Sequence, residues 1–390
     1  MILLLKAFKT EIYPTTEQIQ KIHKTIGTCR FIYNFYILEN KKAYEQSQPF
    51  LTANAFSKWL NNVFIPNHPE YQWIKDVSSK AVKQAMRNGE TAFKRFFKQQ
   101  SKFPVLKKKR FWDVKAYFPR NNRTDWICER HRVKIPTFGW VRLKEKGYIP
   151  TDQIIRSGTI SKEAGRYYVS VLIDMPEQPP LTDLNQEGIG IDVGIKRFAV
   201  CSNGLVFENI NKTKDLQRLD KKLKRMQRAC SRKYEQAKKE NFKKGKAAYK
   251  NLQKEKLRIS RLQHRIAQIR KNHINQSVNM IVKTKPSFVA IEDLNVKGMM
   301  KNRCVSREIG RLGLYQFREK LTAKCKGLGI EVRIVNRWYP SSKTCTMCGY
   351  VHKGLRLSDR IFKCPKCGSK IDRDYGASIN IQNCQDYQVA

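Results

Sequence analysis

Four cysteines in the C-terminal part of the chain have the spacing of a metal site. Cys345 and Cys348 form one C-x-x-C pair, and Cys364 and Cys367 form a second pair after fifteen further residues. A glycine follows each pair and permits the tight turn that directs two thiolates at one ion. Four thiolates without histidine or carboxylate are typical of a closed tetrahedral site. The spacing therefore predicts one structural Zn²⁺ in a zinc ribbon, rather than a redox dithiol.

Three carboxylates stand in contexts that are unusual for surface acids. Asp192 lies inside the apolar stretch 189–194, and Glu292 ends the apolar stretch 288–292. Asp374 lies at the start of a predicted helix after the cysteines. A buried carboxylate costs several kcal/mol unless a cation or donor compensates for it. Converging acids could hold the divalent cations of a phosphodiester hydrolase, whereas salt bridges to arginines would explain each acid singly.

The elements predicted around these acids alternate between strands and helices. Strands are predicted at residues 189–193, 198–202, 288–292 and 331–335, and a helix at 312–328. Residues 212–273 form a basic insertion with 23 Lys and Arg against five acids, a net charge of +18. Two apolar stripes predict an antiparallel helical hairpin there. A solvated hairpin is one interpretation, but charge of a single sign favours a surface that follows a phosphate backbone.

The first 180 residues combine short strands with a helical block. Residues 6–13 alternate like a strand, and a capping box of Thr15 and Gln18 predicts the helix that follows. Further helices are predicted at residues 52–63 and 78–99, and strands at 112–118, 140–143, 157–161 and 166–174. These strands, with residues 6–13, predict a small β-barrel into which the helical block is inserted.

The composition predicts a nucleic-acid partner. The 390 residues include 78 Lys and Arg against 33 Asp and Glu, a net charge of +45. Charge of this size repels itself and is usually neutralised by a polyanion. The hydrophobic fraction of 41% excludes wholesale disorder. We expect a cytoplasmic, nucleoid-associated protein without a membrane partner, since no apolar run suits a signal peptide or a membrane span. The alternative, a basic protein at a membrane surface, would need an anchor helix that the sequence does not show.

The order of these parts resembles the RuvC subgroup of the RNase H fold, and the motifs resemble the TnpB family of transposon-encoded, RNA-guided nucleases. Residues 190–196, 291–295 and 372–374 are similar to the three nuclease motifs of that family, and residues 338–345 to its lead into the ribbon. Pro14, Gln18, Gly27, Arg30, Tyr33 and Asn34 resemble its N-terminal helical signature. The resemblance covers nearly the whole chain.

The resemblance implies a multidomain chain of α/β, all-α and small β-barrel parts. Residues 1–13 and 103–180 would form a wedge β-barrel, with a helical recognition domain at 14–102 inserted in it. A linker at 181–187 would lead to a RuvC-like nuclease domain at 188–342, which contains the basic insertion 212–273. A zinc ribbon at 343–369 would precede the last nuclease helix, at 370–390.

The resemblance also implies the chemistry and the partners. Asp192, Glu292 and Asp374 would be the catalytic ligands of two Mg²⁺ ions, with Asp293 and Asp372 as less favoured neighbours. The partners would be a guide RNA from the transposon end and double-stranded DNA, cut next to a short target-adjacent motif. A separate transposase of the same element is a further candidate partner.

The expected nucleic-acid contacts are polar and basic residues of the N-terminal part and of the insertion: Ser57, Lys58, Lys83, Gln84, Asn121, Asn122, Lys243 and Lys244. One residue departs from the family pattern, because Gly376 stands where the family usually has asparagine. Asparagine could support the third acid as a donor and glycine cannot. A nuclease-dead or weakly active RNA-guided repressor is therefore the alternative function, and a DNA-joining transposase is a more distant one.

Overall fold

The chain folds into two units, Met1–Glu177 and Gln178–Ala390, in a computed structural model. The structure describes residues 3–109, 114–120, 122, 125–176, 181–239, 245–356 and 359–390. Each unit has its own hydrophobic core and its own main sheet. The finer division into wedge, recognition, nuclease and ribbon domains stays a prediction.

The first unit contains one antiparallel sheet of seven strands. These are β1 (Leu3–Tyr13), β2 (Val114–Pro119), β3 (Ile127–Cys128), β4 (Arg132–Ile135), β5 (Gly139–Leu143), β6 (Ile155–Glu163) and β7 (Arg166–Pro176). Their order is β2-β6-β7-β1-β5-β4-β3. The sheet is curled, since Phe118 of the edge strand β2 contacts Phe138 of the β4–β5 turn, with ring centroids 5.5 Å apart. No ladder joins β2 to β3 within the described residues, so closure into a barrel stays a prediction.

The helices of the first unit follow β1. They are α1 (Thr16–Glu45), α2 (Ala53–Trp59), α3 (Ile65–Asn67) and α4 (Ser79–Phe97), with a π-helical turn at Leu60–Phe64 and a 3-10 segment at Pro69–Asp76. The predicted capping box is confirmed, because the Gln18 amide donates to Thr15 Oγ1 and the Thr15 amide donates to Gln18 Oε1. The helix predicted at 52–63 is confirmed as a helical segment, in which the hydrogen-bond ladder widens to a π-helical turn at Leu60–Phe64, before Pro66, which lacks an amide hydrogen.

Helix α1 connects two cores. Ile22 and Ile26 in its first half pack with the sheet, whereas Ile32 and Tyr36 in its second half pack with α2 and α4. The apolar side of α1 is therefore buried along its length, but against two different partners.

The second unit contains a mixed sheet of six strands and a separate hairpin. The strands in chain order are β8 (Ile189–Val193), β9 (Arg197–Cys201), β10 (Val206–Glu208), β11 (Phe288–Glu292), β12 (Glu331–Val335), the hairpin of β13 (Ile361–Lys363) and β14 (Lys370–Asp372), and β15 (Tyr387–Val389). The sheet order is β10-β9-β8-β11-β12-β15, in which β8, β11 and β12 are parallel. The carboxyl ends of β8 and β11 therefore meet at one edge of the sheet.

Six α-helices of the described residues accompany this sheet, with 3-10 turns at Ile210–Lys212 and Ser341–Lys343. The α-helices are α5 (Lys214–Lys239), α6 (Gly245–Lys283), α7 (Val296–Met299), α8 (Ser306–Leu312), α9 (Leu314–Lys326) and α10 (Arg373–Asn383). The predicted helical hairpin is confirmed as α5 and α6, with Leu216 and Ile266 buried in its seam. Helix α6 continues beyond residue 273, and its last turns pack Ile274 and Val278 on the sheet. None of the described helices combines the length and the apolar character that crossing a bilayer requires.

Helix α10 lies directly on the backbone of β8. A Cβ atom at Gly190 would lie 2.0 Å from the Ser378 carbonyl oxygen and 2.4 Å from the Gln382 amide nitrogen. The Gln382 side chain also donates to the Gly188 carbonyl oxygen at 2.9 Å. Only glycine at position 190 allows this approach, which brings the first turn of α10 to the strand that carries Asp192.

We predict that Gly190→Ala destabilises the second unit by more than about 3 kcal/mol, because the methyl group would collide with backbone atoms that cannot rotate away. Hydrogen–deuterium exchange of peptides from β8 and α10 should accelerate. The matched control is Gly27→Ala in α1, where a Cβ atom meets nothing within 4 Å. That change should be neutral or stabilise by up to about 1 kcal/mol. If the amides of β8 exchange equally slowly in Gly190→Ala and in the unaltered protein, the close contact between α10 and Gly190 does not stabilise the second unit.

Candidate active site and cysteine cluster

Three acids from separate elements lie close enough together for the charges of two of them to affect the third. Asp192 lies in β8, Glu292 ends β11, and Asp374 lies in the first turn of α10. Burial, together with the charges of Glu292 and Asp374, raises the pKa of Asp192 from its ordinary 3.8 to about 8. The structure thus brings together the three acids that the sequence singled out, in a place where their negative charge is poorly compensated.

The two neighbouring acids have structural partners. Arg318 Nη1 donates to Asp293 at 2.7 Å, and Arg337 pairs with its other oxygen. The side chains of Arg337 and Arg318 hold the pKa of Asp293 below its ordinary value. Asp372 caps α10, because its Oδ1 accepts the amides of residues 374 and 375 at 3.1 Å each, and it pairs with Arg197. Both acids are compensated by the protein itself, unlike Asp192.

The third acid has cationic neighbours at longer range. Arg373 Nη2 lies 3.7 Å and Arg360 Nη1 lies 4.0 Å from Asp374 Oδ1. The Asp374 side chain is 16% exposed. These separations are those of ion pairs rather than of direct hydrogen bonds, so the guanidinium groups moderate the charge of Asp374 without occupying its oxygens through these contacts.

A serine and an asparagine hold the second acid in place. The Ser341 hydroxyl donates to Glu292 Oε1 at 2.5 Å. Asn380, buried in α10, donates from Nδ2 to the carbonyl oxygens of Ser341 and Thr344 at 2.7 and 2.8 Å. Burial raises the pKa of Glu292, and the hydrogen bond from Ser341 opposes that rise. The sequence analysis gave no role to Ser341 or Asn380. A polar residue at a core-facing position of α10 could have indicated that Asn380 makes buried hydrogen bonds.

The four predicted cysteines form one cluster. Their sulfur atoms all lie within 4.8 Å of one another, with Cys345 and Cys367 3.7 Å apart and Cys348 and Cys364 3.6 Å apart. A tetrahedron of sulfurs at about 2.3 Å from Zn²⁺ has edges of about 3.8 Å, so the cluster fits this ion. The glycines after each pair have φ of +69° and +72°, the left-handed conformation that the tight turns require.

The cysteine cluster is connected to the acids. Strand β14 of the hairpin ends at Asp372, the residue that caps α10. Gly376 of α10 is buried, and a Cβ atom there would lie 3.2 Å from Ile371 and 3.7 Å from Thr346. An asparagine at this position would therefore need a shift of a few tenths of an ångström in Ile371. Glycine at this position provides no side-chain donor.

The residues predicted to contact nucleic acid have different surroundings. Gln84 is half-buried and lines a cavity of about 590 Å³ in the first unit, together with Arg30, Asn88, Lys107 and Lys115. Lys58, Lys83 and Asn122 are exposed. Ser57 is buried in α2, so a contact with a base would require its surroundings to open. Asn121, Lys243 and Lys244 lie outside the described residues.

Three family models match the chain. One described as a helix-turn-helix domain matches residues 1–49, one described as a probable transposase matches residues 170–303, and one described as the TNB domain of Cas12f1-like proteins matches residues 315–381. In the described part of residues 1–49 the structure shows β1 and α1, a strand and a single long helix.

Curated relatives match over almost the whole chain. A protein of Streptomyces pristinaespiralis named "Putative RNA-guided DNA endonuclease" is 31% identical over 390 residues, which cover 96% of this chain and 88% of the relative. The "Putative RNA-guided DNA endonuclease InsQ" of Escherichia coli K12 is 29% identical over 392 residues, which cover 97% and 91%. Cas12f1 in a solved complex with sgRNA and target DNA has a similar fold, with a TM-score of 0.56, 16% identity and coverage of 99% and 100%.

We predict that the purified protein contains about one equivalent of Zn²⁺, because the four thiolates match its ligand geometry. Cys364→Ser should release the metal and lower the midpoint of thermal unfolding. The matched control is Cys304→Ser, since Cys304 is an exposed free cysteine outside the cluster and its loss should change neither quantity. Elemental analysis checks the metal content. A cluster that stays metal-free after purification and refolding with Zn²⁺ would contradict the assignment.

A second prediction concerns the pH dependence of stability without divalent cations. With a pKa of about 8, folded Asp192 retains a proton that the unfolded chain releases above its ordinary pKa of 3.8. The stabilisation of the folded protein by this proton is complete below the lower of the two pKa values and is lost as the pH rises through about 8. Asp192→Asn, which resembles the protonated acid, should therefore become progressively more stable than the unaltered protein from about pH 5 to about pH 9. Thermal unfolding midpoints measure this difference, and a constant difference across that range would refute it.

Proposed function

Because the chain belongs to the TnpB family of RNA-guided endonucleases, we propose that it is a transposon-encoded enzyme that cuts double-stranded DNA. A guide RNA from the transposon end would select the site, and a short target-adjacent motif would flank it. The main support for this proposal is that Asp192, Glu292 and Asp374 lie near one another at the carboxyl edge of a mixed sheet. The strand order of that sheet supports a RuvC-like RNase H fold for the nuclease part.

The chemistry proposed for the acids is metal-assisted phosphodiester hydrolysis. Bound divalent cations, two Mg²⁺ ions in this proposal, stabilise the attacking and leaving oxygens of such a displacement. Asp192, Glu292 and Asp374 would hold them. The raised pKa of Asp192 supports this, because burial and the charges of Glu292 and Asp374 disfavour its ionised form and a bound cation would compensate for both. Ser341 keeps the Glu292 carboxylate in one orientation, which reduces the reorganisation that binding a cation requires.

The surfaces proposed for nucleic acid are basic. Beside the α5–α6 hairpin, a groove of about 1100 Å³ has the apolar residues Leu219, Met226 and Ile269 and the cations Arg218, Lys222, Arg225 and Arg265 in its lining. Such a surface suits a phosphate backbone, because it neutralises charge without reading sequence. The cavity lined by Gln84 in the first unit combines an amide with nearby cations, which suits a base edge of the target-adjacent motif.

One observation favours a second candidate, an RNA-guided repressor with little or no cleavage. Gly376 offers no side-chain donor in the first turn of α10, and a Cβ atom there would lie 3.2 Å from Ile371. All three acids are present, however, and a dead enzyme of this kind would more simply lose one of them. We therefore place the active endonuclease first.

The experiment that tests the function uses the protein loaded with the RNA that copurifies with it. A plasmid carrying a complementary target should be cut in the presence of Mg²⁺. Asp192→Asn, Glu292→Gln and Asp374→Asn should each reduce cleavage by at least about 10³-fold, because each removes a charged cation ligand. Binding of the target should persist in all three, since affinity resides in the basic surfaces and in base pairing.

The matched control is Asp293→Asn, which removes the carboxylate next to Glu292 in the chain that pairs with arginines instead. This variant should keep cleavage within about tenfold of the unaltered protein. Guided binding without cleavage by the unaltered protein would favour the repressor. Undiminished cleavage in any of the three acid variants would remove that residue from the catalytic site.

A further inference from the structure

One tryptophan of the second unit is exposed to an unusual degree. Trp338 is 84% exposed, the highest value among the large hydrophobic residues that the structure describes. Single exposed hydrophobic residues are common on protein surfaces. Trp338 is of interest because it lies between β12 and the cysteine cluster, in a loop next to the candidate acids.

Both ends of the loop that carries Trp338 are attached to Glu292. On one side, Val335 is the register partner of Glu292 in the β11–β12 ladder. On the other side, the Ser341 hydroxyl donates to the Glu292 carboxylate. Trp338 is three positions along the chain from each attachment residue, and an extended chain spans at most about 3.5 Å per residue. The backbone of Trp338 therefore lies within about 10 Å of each attachment point.

The loop is held in a defined conformation. The Trp338 amide donates to Asn336 Oδ1 at 3.1 Å, and the Tyr339 amide donates to the Asn336 carbonyl oxygen at 3.0 Å. The Ser341 amide donates to the Tyr339 carbonyl oxygen at 2.8 Å, and the Tyr339 ring packs against a buried cluster. Hydrogen bonds therefore fix the loop on both sides of Trp338, and the indole is exposed in this fixed conformation.

The surroundings favour a nucleobase as the partner of the indole. Arg337 precedes Trp338 and Lys343 follows in the same segment, so a polyanion would be attracted to the loop. An indole offers a flat apolar face, and stacking of a base on an aromatic side chain is worth about 1–3 kcal/mol. Bases in a duplex already stack on one another, so an unpaired base is the partner with a free face.

We propose that Trp338 stacks on an unpaired base of the strand that the three acids cut, and so positions the neighbouring phosphate at the site. This inference rests on the proposed function, since it names a substrate contact of the same site. Trp338 is a positioning residue in this proposal, and the acids retain the chemistry.

Photo-crosslinking tests the contact without requiring cleavage. The probe is a single-stranded oligodeoxynucleotide that contains 5-iodouracil, bound to the Asp192→Asn protein, with the fully paired duplex as its counterpart. We expect a crosslink to Trp338, located by mass spectrometry, with the single strand and much less with the duplex. No crosslink at Trp338, or equal yields with both probes, would overturn the proposal even if the enzyme proves to be an active nuclease.

Single-turnover cleavage of a target complementary to the copurifying RNA provides the second readout. Trp338→Ala should slow cleavage by about 5- to 100-fold while target binding and thermal stability remain unchanged, and Trp338→Phe should restore most of the rate. The matched control is Tyr315→Ala, which removes another exposed aromatic residue, 57% exposed, from α9. Equal rates for Trp338→Ala and the unaltered protein would reject stacking. A phenylalanine variant as slow as the alanine variant would do so too.

Discussion

The repulsion that Glu292 and Asp374 exert on the buried Asp192 carboxylate is a constraint that the packing of the second unit has to overcome. The three acids would separate if their backbones were free, because the charges of Glu292 and Asp374 raise the cost of charging Asp192. The fold opposes this with contacts that do not depend on charge. The parallel register of β8 and β11 sets the positions of Asp192 and Glu292, and the direct contact of α10 with Gly190 sets the position of Asp374.

The cysteine cluster extends this support. Its hairpin leads into α10 through Asp372, whose carboxylate accepts the first amides of the helix. The segment that enters the cluster is tied to α10 by Asn380 and to Glu292 by Ser341. A metal bound by the four thiolates would therefore stiffen the same elements that carry two of the three acids.

Much of the second unit could be predicted from the sequence, because buried parallel strands are continuous apolar runs. The bounds of β8, β11 and β12 agree with those runs. Strands of two to four residues, such as β3, β10 and β15, were missed, since so short a segment has no measurable periodicity. The three acids were singled out by context and by family resemblance, and the structure adds the interaction between them. The role of Ser341 depends on a contact with a residue 49 positions away, which no local pattern contains.

Asp192, Glu292 and Asp374 are proposed to form one site for divalent cations, and this can be tested by counting bound Mn²⁺. Electron paramagnetic resonance of free Mn²⁺ can be recorded for the protein complexed with its RNA and a non-cleavable target. We expect Asp192→Asn to remove about two Mn²⁺ ions per chain from the bound count. Asp293→Asn should leave that count unchanged. An equal Mn²⁺ count in the Asp192→Asn and unaltered complexes would show that Asp192 does not belong to a cation site.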